Sequence, residues 1–308
     1  METSLTVQIL SGGMNLALVL ALAPLCEGIL RKVTARIQSR QGPPIWQPYY
    51  DLLKLLGKED LESGESPVMQ RFASWLSLAA ILTLALLVPM GTIPPLSGAA
   101  DAYLLVYLLT LCGVSTMLAG LAAGSTYSLV GMSREMMALM TLEPLLAVAV
   151  VIGVVHVRSL RLDVVLAGSA YAHAAWPLAG VLMLAVAILA FQALVGRLPF
   201  DIAEAETELM EGSLMEYSGP KLALFRYARM AKLVIYSGLF VALFLPWGNG
   251  WIFPLGWLWF WAKVLGMVLV VTAVAASHAR YRIDQALRRF VRLLLVAFGA
   301  LALACYGC

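Results

Sequence analysis

The segment GRLPFDIAEAETELMEGSLMEYSG, residues 196–219, places six carboxylates in 24 residues of an otherwise strongly apolar chain. Asp201, Glu204, Glu208 and Glu211 recur at i, i+3, i+7 and i+10, which lays them along one stripe of a helix, with Ile202, Ala205 and Leu209 along another. Pro199 stops the preceding apolar run, and Asp201 followed by Glu204 has the form of a capping box that starts a new helix. Carboxylates at this spacing repel one another, and no Lys or Arg lies between Asp201 and Lys221. Protonation, basic residues from another loop, or water must relieve the repulsion. Arg36, Arg40, Arg134, Arg197, Arg280 and Arg282 are the basic candidates. Spacing alone fits a solvated acidic face as well as a functional site. The interspersed apolar residues favour a helix tucked beneath a bundle over one in open water.

Three more charges fall where lipid is expected. Glu143, in MMALMTLEPLLAVAV, lies within an apolar run and precedes Pro144. An acid at that depth is costly and by default faces a bundle interior or a wet cavity, so Glu143 is read as a proton-exchanging group rather than a paired structural one. Lys263, in WLWFWAKVLGMVLV, lies far from both ends of its run, which favours pairing inside the bundle over snorkelling. Glu27 lies a turn before the end of the first run, and Arg31 at i+4 accounts for it as a helix-surface ion pair.

Elements that can hold such groups follow from composition. Of 308 residues, 61% are hydrophobic and 13% charged, against about 25% charged in an ordinary soluble domain. A bilayer core about 30 Å thick takes about 20 apolar residues per helix. Eight runs of that kind occur, at about 5–29, 72–92, 101–123, 136–157, 175–196, 232–248, 255–277 and 290–306. Barrel strands are excluded because they are only about 10 residues long and alternate in polarity. The expected fold is therefore all-α: one polytopic membrane domain, residues 1–308, with eight transmembrane helices and short amphipathic helices in its inner loops. The first run lacks a basic flank before it and is read as a retained helix. Placing both termini outside puts 18 of the 21 Lys and Arg residues on inner segments, as the positive-inside bias requires. The three long inner segments are about 31–71, 197–231 and 278–292, and Arg134 lies in a shorter one.

The first of them breaks at Gly42-Pro43-Pro44, and the residues beyond, from Tyr49 to Lys58, alternate as a short amphipathic helix. That helix either ties the loop to the membrane or lines a functional chamber. A net charge of +3 with topologically placed basic residues gives no support to nucleic-acid binding. Cys26, Cys112, Cys305 and Cys308 are too scattered to converge on a cluster. Cys305 and Cys308 read as a disulfide or as idle thiols, and the chain is expected to carry no redox centre or metal of its own.

Four motifs then give a specific likeness. ARIQSRQGPP with QPYYDLLKLLGKE, GSTYSLVGMSREMMALMTLEP, the acidic segment at 196–219, and ARYRIDQALR together resemble the membrane subunit shared by respiratory complex I (the subunit 1, or H-type, family) and group 4 energy-converting nickel-iron hydrogenases. The likeness covers nearly the whole chain. It implies eight transmembrane helices, a chamber facing a soluble redox arm, and a carboxylate path into the membrane. On that basis the proton-path candidates are Glu143, Asp201, Glu204, Glu206, Glu208, Glu211, Glu216, Lys263 and Asp284. The docking candidates for the redox arm are Arg36, Arg40, Asp51, Lys54, Arg134, Arg197, Arg280 and Arg282. Three features resemble the hydrogenase branch rather than complex I. They are the short PIW between Gly42-Pro43 and Gln47-Pro48, Glu211, and Leu30 before Arg31-Lys32. They set the chain apart from the quinone-binding branch. The implied partners are hydrogenase large and small subunits, an iron-sulfur subunit and antiporter-like membrane subunits. Nickel-iron and iron-sulfur clusters reside in those partners, and the setting is a bacterial or archaeal cytoplasmic membrane. A quinone-reducing complex I subunit, a stand-alone transporter and a passive anchor are the rival expectations.

Overall fold

The computed structural model describes residues 5–61, 66–91, 94, 96, 98, 100–166, 178–203, 208, 210, 212–247 and 254–307. The main helices are α1 (Leu5–Ile37), α2 (Gln47–Leu56), α3 (Pro67–Leu87), α4 (Ala102–Ala123), α5 (Thr126–Val157), α6 (Leu178–Leu194), α7 (Gly219–Phe244), α8 (Leu255–Ser277) and α9 (Ile283–Tyr306). Among the described residues no strand forms, and the one β-type pairing is the isolated bridge between Asp101 and Arg161. Among the described residues, seven helices are long and apolar enough to cross a membrane. The expected eighth corresponds to α6, which is apolar but has 17 described residues, about 25 Å of helix at 1.5 Å per residue.

α7 is the central post. Leu233, Val234, Ile235, Val241 and Ala242 are fully buried, and the helix packs against α1, α2, α3 and α8. Ala228, Ala231, Ser237, Gly238 and Ala242 keep its surface low, so neighbouring backbones approach closely, as small residues allow in membrane bundles. α5 lies between α4 and α9, and α9 also packs on α6.

Several helices extend well beyond their apolar runs. α7 begins at Gly219 rather than near 232, so Lys221, Arg226, Arg229 and Lys232 are helical rather than loop residues. Each costly group that is carried inward has compensation nearby. Lys221 Nζ lies 3.2 Å from Asp60, Arg229 faces Asp201 at 3.8 Å, and Lys232 Nζ sits 5.2 Å from the centre of the Tyr236 ring. α5 likewise starts at Thr126 rather than 136 and brings Arg134 and Glu135 into the helix, with the Ser125 side chain accepting from Ser128 N at 3.3 Å. α9 starts at Ile283, which places Asp284 in its first turn.

Lys263 is half-buried, and the described partners of its ammonium are backbone carbonyls. Its ammonium donates to the carbonyls of Leu245 at 2.7 Å and Trp247 at 2.9 Å. It thereby caps the C-terminal end of α7, where orphan carbonyls and the helix dipole favour a cation. Cys26 and Cys112 are buried free thiols and Cys305 is an exposed one, so Cys305 forms no disulfide; Cys308 lies outside the described residues.

Candidate functional site

Charged side chains converge at one end of the bundle, where α1 and α6 finish and α5, α7 and α9 begin. Glu27, nearly three turns before the end of α1, is 5% exposed. It accepts hydrogen bonds from Arg197, in the turn after α6, and from Arg31 Nε at 3.4 Å. Arg31 Nη1 continues to Asp51 on α2 at 2.9 Å, and Gln47 Nε2 donates to the same carboxylate at 3.0 Å. Desolvation of Asp51 is outweighed by the hydrogen bonds from Gln47 and Arg31, and its carboxyl is held below the usual range. The sequence reading of Glu27 as a surface pair is therefore corrected. Arg31 does contact it, but the group is buried and ties three parts of the chain together.

The acidic segment is pinned at both described ends. At its start, Asp201 lies between Arg280 at 3.5 Å and Arg229 at 3.8 Å. Tyr281 N donates to Pro199 O at 3.0 Å, and the Phe200 ring packs on Tyr281 and Phe290. At its end, Ser128 Oγ on α5 donates to Ser213 O at 3.3 Å, and Tyr217 OH to Ala119 O at 3.0 Å. Gly131 makes this seat possible, since a Cβ there would lie 2.8 Å from Gly212 Cα. Glu204, Glu206 and Glu211, and with them most of the predicted acidic stripe and capping box, lie outside the described residues. Ala203 is a bend, so the segment between Asp201 and Ala203 is not helical.

Glu208 is paired to Arg134 of α5 at 2.7 Å. The hydrogen bond and charge of Arg134 hold its carboxyl below the ordinary value of 4.5. A depressed acid stabilises the fold above its unfolded value and loses that contribution as pH falls through the folded one. An Arg134→Gln variant is thus expected to be less stable than the parent at pH 7. The side chain of Glu208 is 54% exposed, so solvent screening limits the difference to about 0.2–1 kcal/mol. Thermal midpoints of the two proteins should converge once the pH is well below 4.5; a pH-independent gap would show that the pairing is not its source.

From Asp201 a cavity of about 170 Å³ extends between α4, α5 and α7, well above the roughly 10–15 Å³ one water needs. Glu135 and Glu143 of α5 line it, about 12 Å apart along the helix axis, together with Arg226, Arg229, Lys232 and Tyr236 of α7. Glu143 Oε1 is buried with no hydrogen-bond partner among the described residues, next to Pro144 inside the helix. Carboxylates, a lysine and a phenol spaced along such a space can accept and release protons in turn. Glu135, Arg229, Lys232 and Tyr236 were not among the residues singled out from sequence. The signal for them is periodic: Arg229, Lys232 and Tyr236 fall at i, i+3 and i+7, one face of α7.

Of the other expected site residues, Glu216 is half-buried in the turn before α7, and Asp284 is exposed. Neither Asp284 nor Lys263 lines the cavity. Arg36, Lys54 and Arg282 are exposed, whereas Arg40 and Arg197 line a second cleft beside Glu27. Among the described residues no group of three or more His, Cys, Asp or Glu side chains is placed to hold a metal ion.

The family described as NADH dehydrogenase matches residues 11–305. Hydrogenase-4 component C of Escherichia coli (strain K12) is 38% identical over 238 residues, 75% of this chain and 74% of that protein. Formate hydrogenlyase subunit 4 of the same organism is 34% identical over 279 residues, 87% of this chain and 90% of that protein. An H-type subunit of the NADH-quinone oxidoreductase of Geobacter sulfurreducens is 30% identical over 291 residues, 84% of this chain and 82% of that protein. A chain in the structure of the membrane-bound sulfane sulfur reductase, an archaeal respiratory membrane complex, superposes with a TM-score of 0.86 at 25% identity, covering 96% of this chain and 99% of that one. With its bundle of apolar helices, its paired acids and these relatives, the chain belongs to the NADH dehydrogenase family of membrane subunits, the H-type family common to complex I and the hydrogenase complexes.

Proposed function

We propose that this chain is the membrane-anchoring and proton-coupling subunit of a multisubunit energy-converting nickel-iron hydrogenase. Electron transfer and proton reduction belong to partner subunits that carry the nickel-iron and iron-sulfur clusters. This chain holds that soluble arm at the charged end of its bundle, on the cytoplasmic side, and passes protons toward antiporter-like membrane subunits. The observation that carries the reading is the cavity joining Asp201, beside the paired surface groups, to half-buried Glu143, whose Oε1 is buried. Similarity to hydrogenase-4 component C and formate hydrogenlyase subunit 4 supports the hydrogenase branch.

A charge shift at the docking face acts first on Asp201, held by Arg229 and Arg280. Loosening either pair frees a carboxylate at the mouth of the cavity, and the acids deeper in respond through the field they share. Glu143→Gln keeps the size of the side chain and removes its proton. In membrane vesicles holding the whole complex, the variant should evolve hydrogen from a reduced dye at the parental rate while losing ion translocation. Undiminished translocation in Glu143→Gln would overturn the path. The NADH-quinone oxidoreductase relatives support a second reading, a quinone-reducing complex; a flavin in the purified complex and sensitivity to quinone-site inhibitors would favour it.

A further inference from the structure

A second cleft, of about 630 Å³, opens at the charged end between α1 and α7. Five guanidinium groups line it, from Arg31, Arg40, Arg197, Arg226 and Arg229, and among the described residues the carboxylate of Glu27 faces them. Asp51 and Asp201 reach Arg31 and Arg229 from outside its wall. Two buried donors belong to residues of the wall and have no hydrogen-bond partner among the described residues: the hydroxyl of Thr34 and Nε of Arg197. Buried donors without acceptors are costly, and an anionic oxygen in the cleft would satisfy both.

The geometry points to a bound phosphate group in this cleft, carried by a lipid headgroup or present as inorganic phosphate, with oxygens on Thr34, Arg40 and Arg197. Guanidinium forks match phosphate oxygens in pairs. The lining also includes the buried apolar side chains of Leu30 and Met230, which suit the glycerol and acyl part of a lipid better than a carboxylate-bearing peptide. Position agrees. α1 and α7 are both long enough to cross a membrane. The adjoining α2 exposes Tyr50, Leu53 and Leu56, with Trp46 just before it, an aromatic and aliphatic face of the kind found at headgroup depth. Gly42, at φ +69, lets the loop close on α1 at the rim, where a Cβ would lie 2.6 Å from Ala35 Cβ. Arg226 and Arg229 line both this cleft and the cavity that holds Glu143, and the test of this ligand reads binding rather than hydrogen evolution.

The test uses the purified complex with the full chain, in phosphatidylcholine nanodiscs with and without phosphatidylglycerol, and compares the parent with Thr34→Val and Arg40→Gln. Native mass spectrometry after detergent exchange reads retained phosphatidylglycerol, and equilibrium dialysis reads labelled inorganic phosphate. The parent should retain one or the other, with each variant weakening binding about tenfold, the scale of one charge-assisted hydrogen bond. Retained phosphatidylglycerol that inorganic phosphate does not displace assigns the headgroup; displacement assigns free phosphate. The proposal is overturned if neither binds, if both variants bind like the parent, or if a photo-cross-linker at position 40 captures an acidic segment of a partner subunit instead of lipid.

Discussion

Glu27→Ala is expected to lower the stability of the chain by about 3–5 kcal/mol, because it leaves two guanidinium groups without their shared counter-ion in a largely buried site. The side chain of Glu27 is 6% exposed and that of Arg197 18%. Arg31, at 36%, can turn toward Asp51 and water, so Arg197 bears most of the loss. Nε of Arg197 already lacks a partner among the described residues, and the variant removes the acceptor that balances its charge. A rescue separates charge imbalance from lost packing. Paired apolar residues of similar volume often replace a buried ion pair at little cost, so Glu27→Leu combined with Arg197→Met should recover much of what either single change loses. Thermal unfolding of the solubilised complex, read as a double-mutant cycle, checks this. A midpoint for Glu27→Ala equal to the parent's would show that the contact carries no net energy.

Helix class and the apolar runs were legible because hydropathy is a local property. The limits of α5, α7 and α9 were not. A hydropathy window ends where charge begins, whereas Lys221, Arg226, Arg229 and Lys232 continue α7 with compensating groups from distant parts of the chain. Asp60, for instance, reaches Lys221 from the loop between α2 and α3. Glu27 was misread for the same reason. Its neighbour at i+4 is visible in sequence, but its contact with Arg197 spans 170 positions. Lys263 was expected to pair inside the bundle; it is half-buried, and its described partners are backbone carbonyls at the end of α7, which no residue type announces. Arg134 and Arg280 were among the candidates to neutralise the acidic segment, and they reach Glu208 and Asp201 respectively. Arg229 was hidden by its assignment to a loop.

Gly28→Ala should be the second large effect, since the site next to Glu27 has no room for a methyl group. A Cβ on Gly28 would lie 1.9 Å from the carbonyl oxygen of Ile45 and 2.8 Å from its carbon. Both are backbone atoms, so no side-chain rotation relieves the clash and the loop before α2 must lift from α1. Lifting it also strains Asp51 against Arg31 and Tyr49 against Ala21. Overpacking of this kind costs about 1–3 kcal/mol and occasionally more. The same substitution in a helix interior otherwise favours folding by about 0.5–1 kcal/mol. Gly299 in α9 is the matched control, because nothing lies within 4 Å of its Cβ position. Gly28→Ala should therefore lower the thermal midpoint and speed tryptic cleavage at Arg40, while Gly299→Ala leaves cleavage unchanged and the midpoint equal or higher. Equal behaviour of the two variants would mean that the loop does not rest on α1, and the wall it gives the arginine-lined cleft would go with it.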